Sequence, residues 1–161
     1  MTTLLVPTDF SAASLKLAEQ AVKVLNREVN IILFHAFDMP FYYTDLIRPD
    51  RQPWQDLLND DLRLACKQLK DRNPWLINCI SLRFMQGNSN ALFRNWAEAN
   101  EIDMIACPNN YTHTKIHSRS LNPLPFFKKS RLTILQDFTL PQRATENLPQ
   151  KKTGNYSVLP A

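Results

Sequence analysis

The sequence predicts an α/β domain built as one open sheet of five parallel strands with helices on both faces. Three observations carry that reading. Short apolar runs recur along the chain, and they alternate with stretches whose apolar residues fall at three- and four-residue steps. The run over residues 30–37, NIILFHAF, is apolar at nearly every position, as a strand covered on both faces must be. With 161 residues the chain suits one domain rather than two. The domain is expected over residues 1–138, followed by a flexible tail over residues 139–161.

Each element follows in order. Residues 3–6 are a short apolar strand closed by Pro7, Thr8 and Asp9, and Ser11 stands ahead of a helical pattern as a candidate N-cap. Leu15, Ala18, Ala21 or Val22, and Leu25 then mark one helix face, with Lys16, Glu19, Gln20 and Lys23 between them. Residues 30–37 complete a βαβ unit, whose crossover is expected to be right-handed. A polar and aromatic loop over residues 39–53 leads to a second helix marked by Trp54, Leu57, Leu58, Leu62, Ala65 and Leu69, which Asn73 and Pro74 stop. A third strand is expected over residues 79–85, then a helix capped by Ser89 with Leu92, Trp96 and Ala97 as its apolar stripe. Residues 104–107 form a fourth strand ended by Pro108. A polar and basic stretch follows, then a short helix opened by Pro123 and a fifth strand over residues 132–135.

Composition removes several classes of function. A chain that is 44% hydrophobic and 21% charged is globular rather than disordered. No run reaches the roughly 18 to 20 apolar residues of a membrane span. The N-terminus lacks a basic region before its apolar run, so no signal peptide is expected and the cytoplasm is the expected location. Cys66, Cys79 and Cys107 are widely spaced and form no C-x-x-C pair, and are read as buried free thiols. The net charge of +4 is concentrated toward the C-terminal third: over residues 104–138, Lys115, Arg119, Lys128, Lys129 and Arg131 stand against Asp137 alone. Only Gly87 and Gly154 are glycines, so few positions can take a positive φ at low cost.

The string Leu5-Val6-Pro7-Thr8-Asp9-Phe10-Ser11, the helix after it, and Ile32-Leu33-Phe34-His35-Ala36 closely resemble the opening of universal stress protein domains. Ala99-Asn100-Glu101-Ile102-Asp103-Met104-Ile105 is similar to that family's approach to its fourth strand, and the resemblance spans residues 1–138. It implies a Rossmann-like five-stranded parallel sheet, a homodimer and, in one branch, ATP or another adenine nucleotide at the strand carboxyl ends. In that branch the contacts come from the first loop, the end of the second strand, and a glycine-rich loop after the fourth. Pro7 and Asp9 match the first loop, and Ala36 matches the position after the strand-two histidine. The third element is missing, because residues 107–122 contain no glycine.

That absence bears directly on phosphate binding. Glycines let successive backbone N–H groups converge on an oxyanion, whereas side chains block the approach and Pro108 has no N–H at all. Each charge-assisted bond forgone is worth about 1.5 to 3 kcal/mol. The expected function is therefore a non-enzymatic stress-response module that acts through dimerisation or partner binding, with no cofactor. The alternative is an adenine-nucleotide-binding stress protein, with slow ATP hydrolysis as a variant, in which Lys115 and Arg119 replace the missing amides by ion pairing.

The remaining candidates read as structural. Asp9 is expected to accept N–H bonds at the start of the first helix, and Ser11 and Ser14 to start that helix, with no general base assignable to either. His35 lies in an apolar strand and reads as a hydrogen-bonded core histidine. His113 and His117 would share a face if helical, with Cys107 nearby, but no fourth metal ligand is evident and Thr112, Thr114 and Ser118 favour a loop. One aromatic, Tyr111, beside Lys115 and Arg119 is too little for a nucleic-acid platform. A homodimer is expected, with the fifth strand as the sheet edge that mediates it.

Overall fold

Alternating residues of the first two strands part into two cores, one on each side of a central sheet. The computed structural model describes residues 1–11, 13–39 and 59–138. Its elements run β1 (Thr2–Pro7), α1 (Ala13–Leu25), β2 (Val29–Phe37), α2 (Asp60–Arg72), β3 (Ile77–Gln86), α3 (Asn90–Ala99), β4 (Met104–Ala106), β5 (Ser120–Leu121), α4 (Leu124–Lys129) and β6 (Thr133–Leu135). The main sheet has the order β3-β2-β1-β4-β6 with every neighbour parallel, and β5 pairs antiparallel with β2 alone. Successive side chains of a strand point to opposite faces. Leu4, Val6, Ile31 and Leu33 accordingly pack with Leu15, Ala18, Val22, Leu62 and Leu69 of α1 and α2. Leu5, Ile32 and Phe34 pack with Phe93, Ala97, Phe126 and Phe127 of α3 and α4 on the other side.

Two helices, α2 and α3, begin where a short polar N-cap side chain takes up an orphan N–H group. Asn59 Oδ1 accepts the N–H of Leu62 at 2.8 Å, and Ser89 Oγ accepts that of Leu92 at 2.9 Å. Asn73 closes α2, its amide group donating to the Leu69 carbonyl at 3.0 Å and to Glu19 at 2.8 Å, which ties α2 to α1. Pro123 precedes α4 as the sequence predicts. The expected first part of the second helix, most of the loop over residues 39–53, and the tail over residues 139–161 lie outside the described residues. Among the described residues no helix is long and apolar enough to cross a membrane.

Three expectations need correction. The sheet carries a sixth strand, β5, inside the polar stretch after β4, and it runs antiparallel. The buried stripe of α3 is Phe93 and Ala97, whereas Leu92 is exposed. The reason is a step of one residue on the helix: Phe93 meets Phe34, Phe126 and Phe127, and Leu92 turns outward over Gly87, where a Cβ would lie 2.3 Å from its Cδ2. Of the three thiols, all free, Cys107 is buried, Cys66 half-buried and Cys79 exposed, because β3 is the terminal strand of the sheet path.

Candidate functional site

In an open doubly wound sheet, ligands sit beyond the strand carboxyl ends where the order reverses. Here that point lies at β1, which has β2 on one edge and β4 on the other. β1 stops at Pro7, opposite Phe34, while β2 runs on to Phe37. β3 already occupies one edge of Ala36 and Phe37, through Met85 and Gln86. The other edge of the same two residues is taken by β5, which pairs Leu121 with Ala36 and Ser120 with Phe37. The loop after β4 therefore returns across the carboxyl end of the sheet and sets its own strand in line beyond β1.

His35 fastens this arrangement. Its Nδ1 lies 2.7 Å from the Thr8 carbonyl, which only accepts, so Nδ1 carries the proton. The bare Nε2 then accepts the hydroxyl proton of Ser120 at 2.8 Å. Ser120 Oγ in turn accepts the N–H of His117 at 3.2 Å, and the Ser120 N–H donates to the His117 carbonyl at 3.0 Å. Burial, working against the bond to Thr8, depresses the pKa of His35, with His113 and His117 adding to the fall and Asp9 opposing it. The next turn is closed by the Arg119 N–H, which donates to His117 Nδ1 at 3.1 Å, and by the Arg119 carbonyl, which accepts the Asp38 N–H at 2.7 Å.

The first loop is built from short polar side chains. Asp9 accepts the N–H of Ser11 at 3.1 Å as well as its hydroxyl proton, so the carboxylate serves the entry to α1. Ser14 Oγ donates to the Ser11 carbonyl at 2.7 Å and receives Thr8 Oγ1 at 2.8 Å. Phe10 sits at a φ of 66° in the left-handed region, with its N–H on Thr8 Oγ1 at 3.0 Å. Its ring covers His35, Phe37 and Phe84.

Beside this loop a cleft of about 240 Å³ is lined by Pro7, Asp9, Ser14, Leu17, Tyr111, Thr112 and Thr114. On the far side of Tyr111 a second, of about 180 Å³, is lined by Cys107, Pro108, Asn109, Leu124, Phe127, Lys128, Ile134 and Gln136. Burial pushes the Tyr111 hydroxyl up to about 12, with Cys107 and Asp9 adding to it, and the Cys107 thiol up to about 11. Both groups are neutral at physiological pH and offer no nucleophile.

Pro7 and Asp9 thus share a cleft, but Ala36, Lys115 and Arg119 are not among its lining residues. Ala36 is buried against β5, Lys115 is exposed, and Arg119 is held in the turn beside Asp38. Residues 111–116 have no regular structure, so His113 and His117 do not share a helical face. His113 instead lies 6.3 Å from His35, ring centre to ring centre. Among the described residues no cluster of three or more His, Cys, Asp or Glu is arranged to hold a metal ion. Sequence reasoning missed Ser120, since one serine in a polar run carries no period.

The chain is thus a doubly wound α/β protein, and more narrowly its fold is that of the universal stress proteins. Universal stress protein UspA from Lactobacillus plantarum superposes with a TM-score of 0.51 at 18% identity, over 84% of this chain and 96% of that one. A universal stress protein family member from Burkholderia pseudomallei (TM-score 0.47, 15% identity, 86% of this chain and 96% of that chain) is also similar. So is a universal stress protein in complex with cAMP (TM-score 0.45, 17% identity, 86% and 98%). No family model matches the sequence, and no curated protein matches it.

Proposed function

We propose that the chain is a universal stress protein-like module in stress response that acts by association with a second copy or a partner protein, without catalysing a reaction and without ATP. The placement of β5 supports this reading: it pairs with β2 beyond the end of β1, at the carboxyl edge of the sheet on which a nucleotide would rest. The two clefts beside it, at about 240 and 180 Å³, fall below the roughly 300 to 1,000 Å³ of small-molecule sites. The glycine-free loop supports it further, since amide donors held among side chains and a proline do not converge on phosphate. Neither Lys115 nor Arg119 lines the cleft that holds Pro7 and Asp9, which weighs against their replacing those amides.

The sheet path ends at β6, whose three residues offer the edge for a homodimer in the cytoplasm. Isothermal titration with ATP, ADP and AMP at neutral pH tests the reading without nucleotide: no measurable heat is expected, and a dissociation constant in the low micromolar range overturns it. Sedimentation equilibrium tests association, with twice the chain mass expected at micromolar concentration and the single-chain mass throughout counting against the dimer.

A further inference from the structure

All three histidines of the 161-residue chain meet at the contact between β2 and the loop that covers it. His35 is 4% exposed and joins β1's loop to β5 through both ring nitrogens. His113 stacks toward it at 6.3 Å, and His117 sets its ring edge-on to Phe37 at 5.9 Å, itself 4.7 Å from His35. We propose that this cluster is a pH latch: uncharged imidazoles hold β5 and residues 108–122 on the carboxyl end of β2, and protonation releases them. The proposal rests on the reading that this loop fills the crevice, and it adds how that crevice is opened.

The hydrogen-bond inventory supplies the mechanism. A proton added to His35 Nε2 turns that atom from acceptor to donor, so the Ser120 hydroxyl proton loses its acceptor while Ser120 Oγ still receives the His117 N–H. The new charge is buried, and the groups around it are unfavourable on balance. The first loop contributes Asp9, which favours the cation, and β5's loop contributes His113 and His117, which oppose it. Among the described residues, β3 and the entry to α1 set the uncharged Phe84 and Phe10 beside His35. Burial and then Lys115 oppose a charge on His113, and among the described residues its buried Nε2 and the buried Nη1 of Arg119, a fixed charge on the same loop, have no hydrogen-bond partner. Asp38 meets this turn through its backbone N–H.

The sign follows from proton linkage. The closed arrangement depresses His35 and His113, so the released loop binds more protons. Closure is complete above the free histidine value of about 6.5 and weakens as pH falls below it, about tenfold per pH unit for each histidine that responds.

Amide hydrogen exchange by NMR on the full chain, corrected for intrinsic rates, tests this between about pH 7.5 and about pH 5.5. Protection of the Asp38 and Ser120 amides is expected to fall by up to about tenfold through His35 alone and up to about a hundredfold with His113. The Val29 amide, bonded to the Leu76 carbonyl at the opposite end of β2, holds. His113→Gln keeps the His35 part of the fall, His35→Gln keeps the His113 part, and the double variant abolishes the response. Wild-type imidazole resonances give a readout that needs no variant, with His35 less than half protonated at about pH 6.5. Constant protection at Asp38 and Ser120, an equal fall at Val29, or a His35 ring half-charged at or above about 6.5 overturns the latch. Nucleotide titration at neutral pH judges the filled crevice separately, so a failure of that reading is distinguishable from a failure of the latch.

Discussion

Ser120 gives its hydroxyl proton to Nε2 of His35 across 2.8 Å, a buried side-chain tie that adds to the backbone pairing of a two-residue strand with β2. Both residues are buried, at 7% and 4% exposure, so water is not at hand to replace either partner. Ser120→Ala strips His35 Nε2 of its donor and the His117 N–H of its acceptor. Leaving a buried polar group unmatched costs about 1 to 3 kcal/mol. Urea denaturation at neutral pH is expected to show a loss in that range. A change within about 0.5 kcal/mol, the size of an ordinary surface substitution, contradicts the role given to this bond.

Phe93 and Leu92 are neighbours on α3 with opposite fates. Phe93 is fully buried among Phe34, Trp96, Phe126 and Phe127, while Leu92 is 38% exposed. Phe93→Ala is expected to cost about 3 to 5 kcal/mol, and Leu92→Ala less than the roughly 2 kcal/mol at which buried leucine truncations begin. Equal losses in thermal denaturation would place the helix one residue out of phase.

That pair also marks how far the sequence reveals the fold. β2 was legible because a run as apolar as Asn30-Ile31-Ile32-Leu33-Phe34 fits only a doubly covered strand, and Ser89 was legible because an N-cap is a local device. The rotation of α3 was not, since Leu92, Phe93, Trp96 and Ala97 are all apolar and only the aromatic cluster on the sheet decides which of them turn inward. β5 was hidden for a different reason. Ser120 and Leu121 pair with β2 because β1 ends early, which is a property of two distant segments together. At the site, Asp9 and Ser11 interact locally and were readable, whereas the tie from His35 to Ser120 spans 85 positions.

The shortage of glycine leaves a measurable trace at the end of α3. Glu101 has a φ of 56°, its N–H donates to the Glu98 carbonyl at 3.0 Å, and the Ile102 N–H reaches back to Ala97 at 2.9 Å. This is the helix ending that ordinarily takes a glycine at the left-handed position. A residue with a Cβ there costs roughly 1 to 2 kcal/mol, and glycine returns roughly 0.5 to 1 kcal/mol of that through the freedom of the unfolded chain. Glu101 is exposed, so Glu101→Gly is expected to stabilise the domain by up to about 1 kcal/mol, read as a higher urea midpoint. A lower midpoint would show that the Glu101 side chain does more than tolerate its backbone.

Glu19 links α1 to the end of α2, and its contribution should depend on pH. Burial alone would raise its pKa, but hydrogen bonds from Arg72 and Asn73, with the charges of Lys23 and Arg72, outweigh that and hold it below the usual glutamate value. Asn73 donates at 2.8 Å and the Arg72 guanidinium at 3.3 Å through two nitrogens. A carboxylate with a lowered folded-state pKa binds its proton more readily when unfolded, so stability rises with pH across that interval. The contribution is complete above the unfolded value of about 4.3 and disappears as pH falls through the folded one. Because Arg72 is exposed and the pair is screened by water, Glu19→Gln is expected to cost about 0.5 to 1.5 kcal/mol at neutral pH. Stability curves of the two proteins should converge on acidification below about pH 4, and a gap that stays constant down to about pH 3 would mean that the loss came from shape rather than charge.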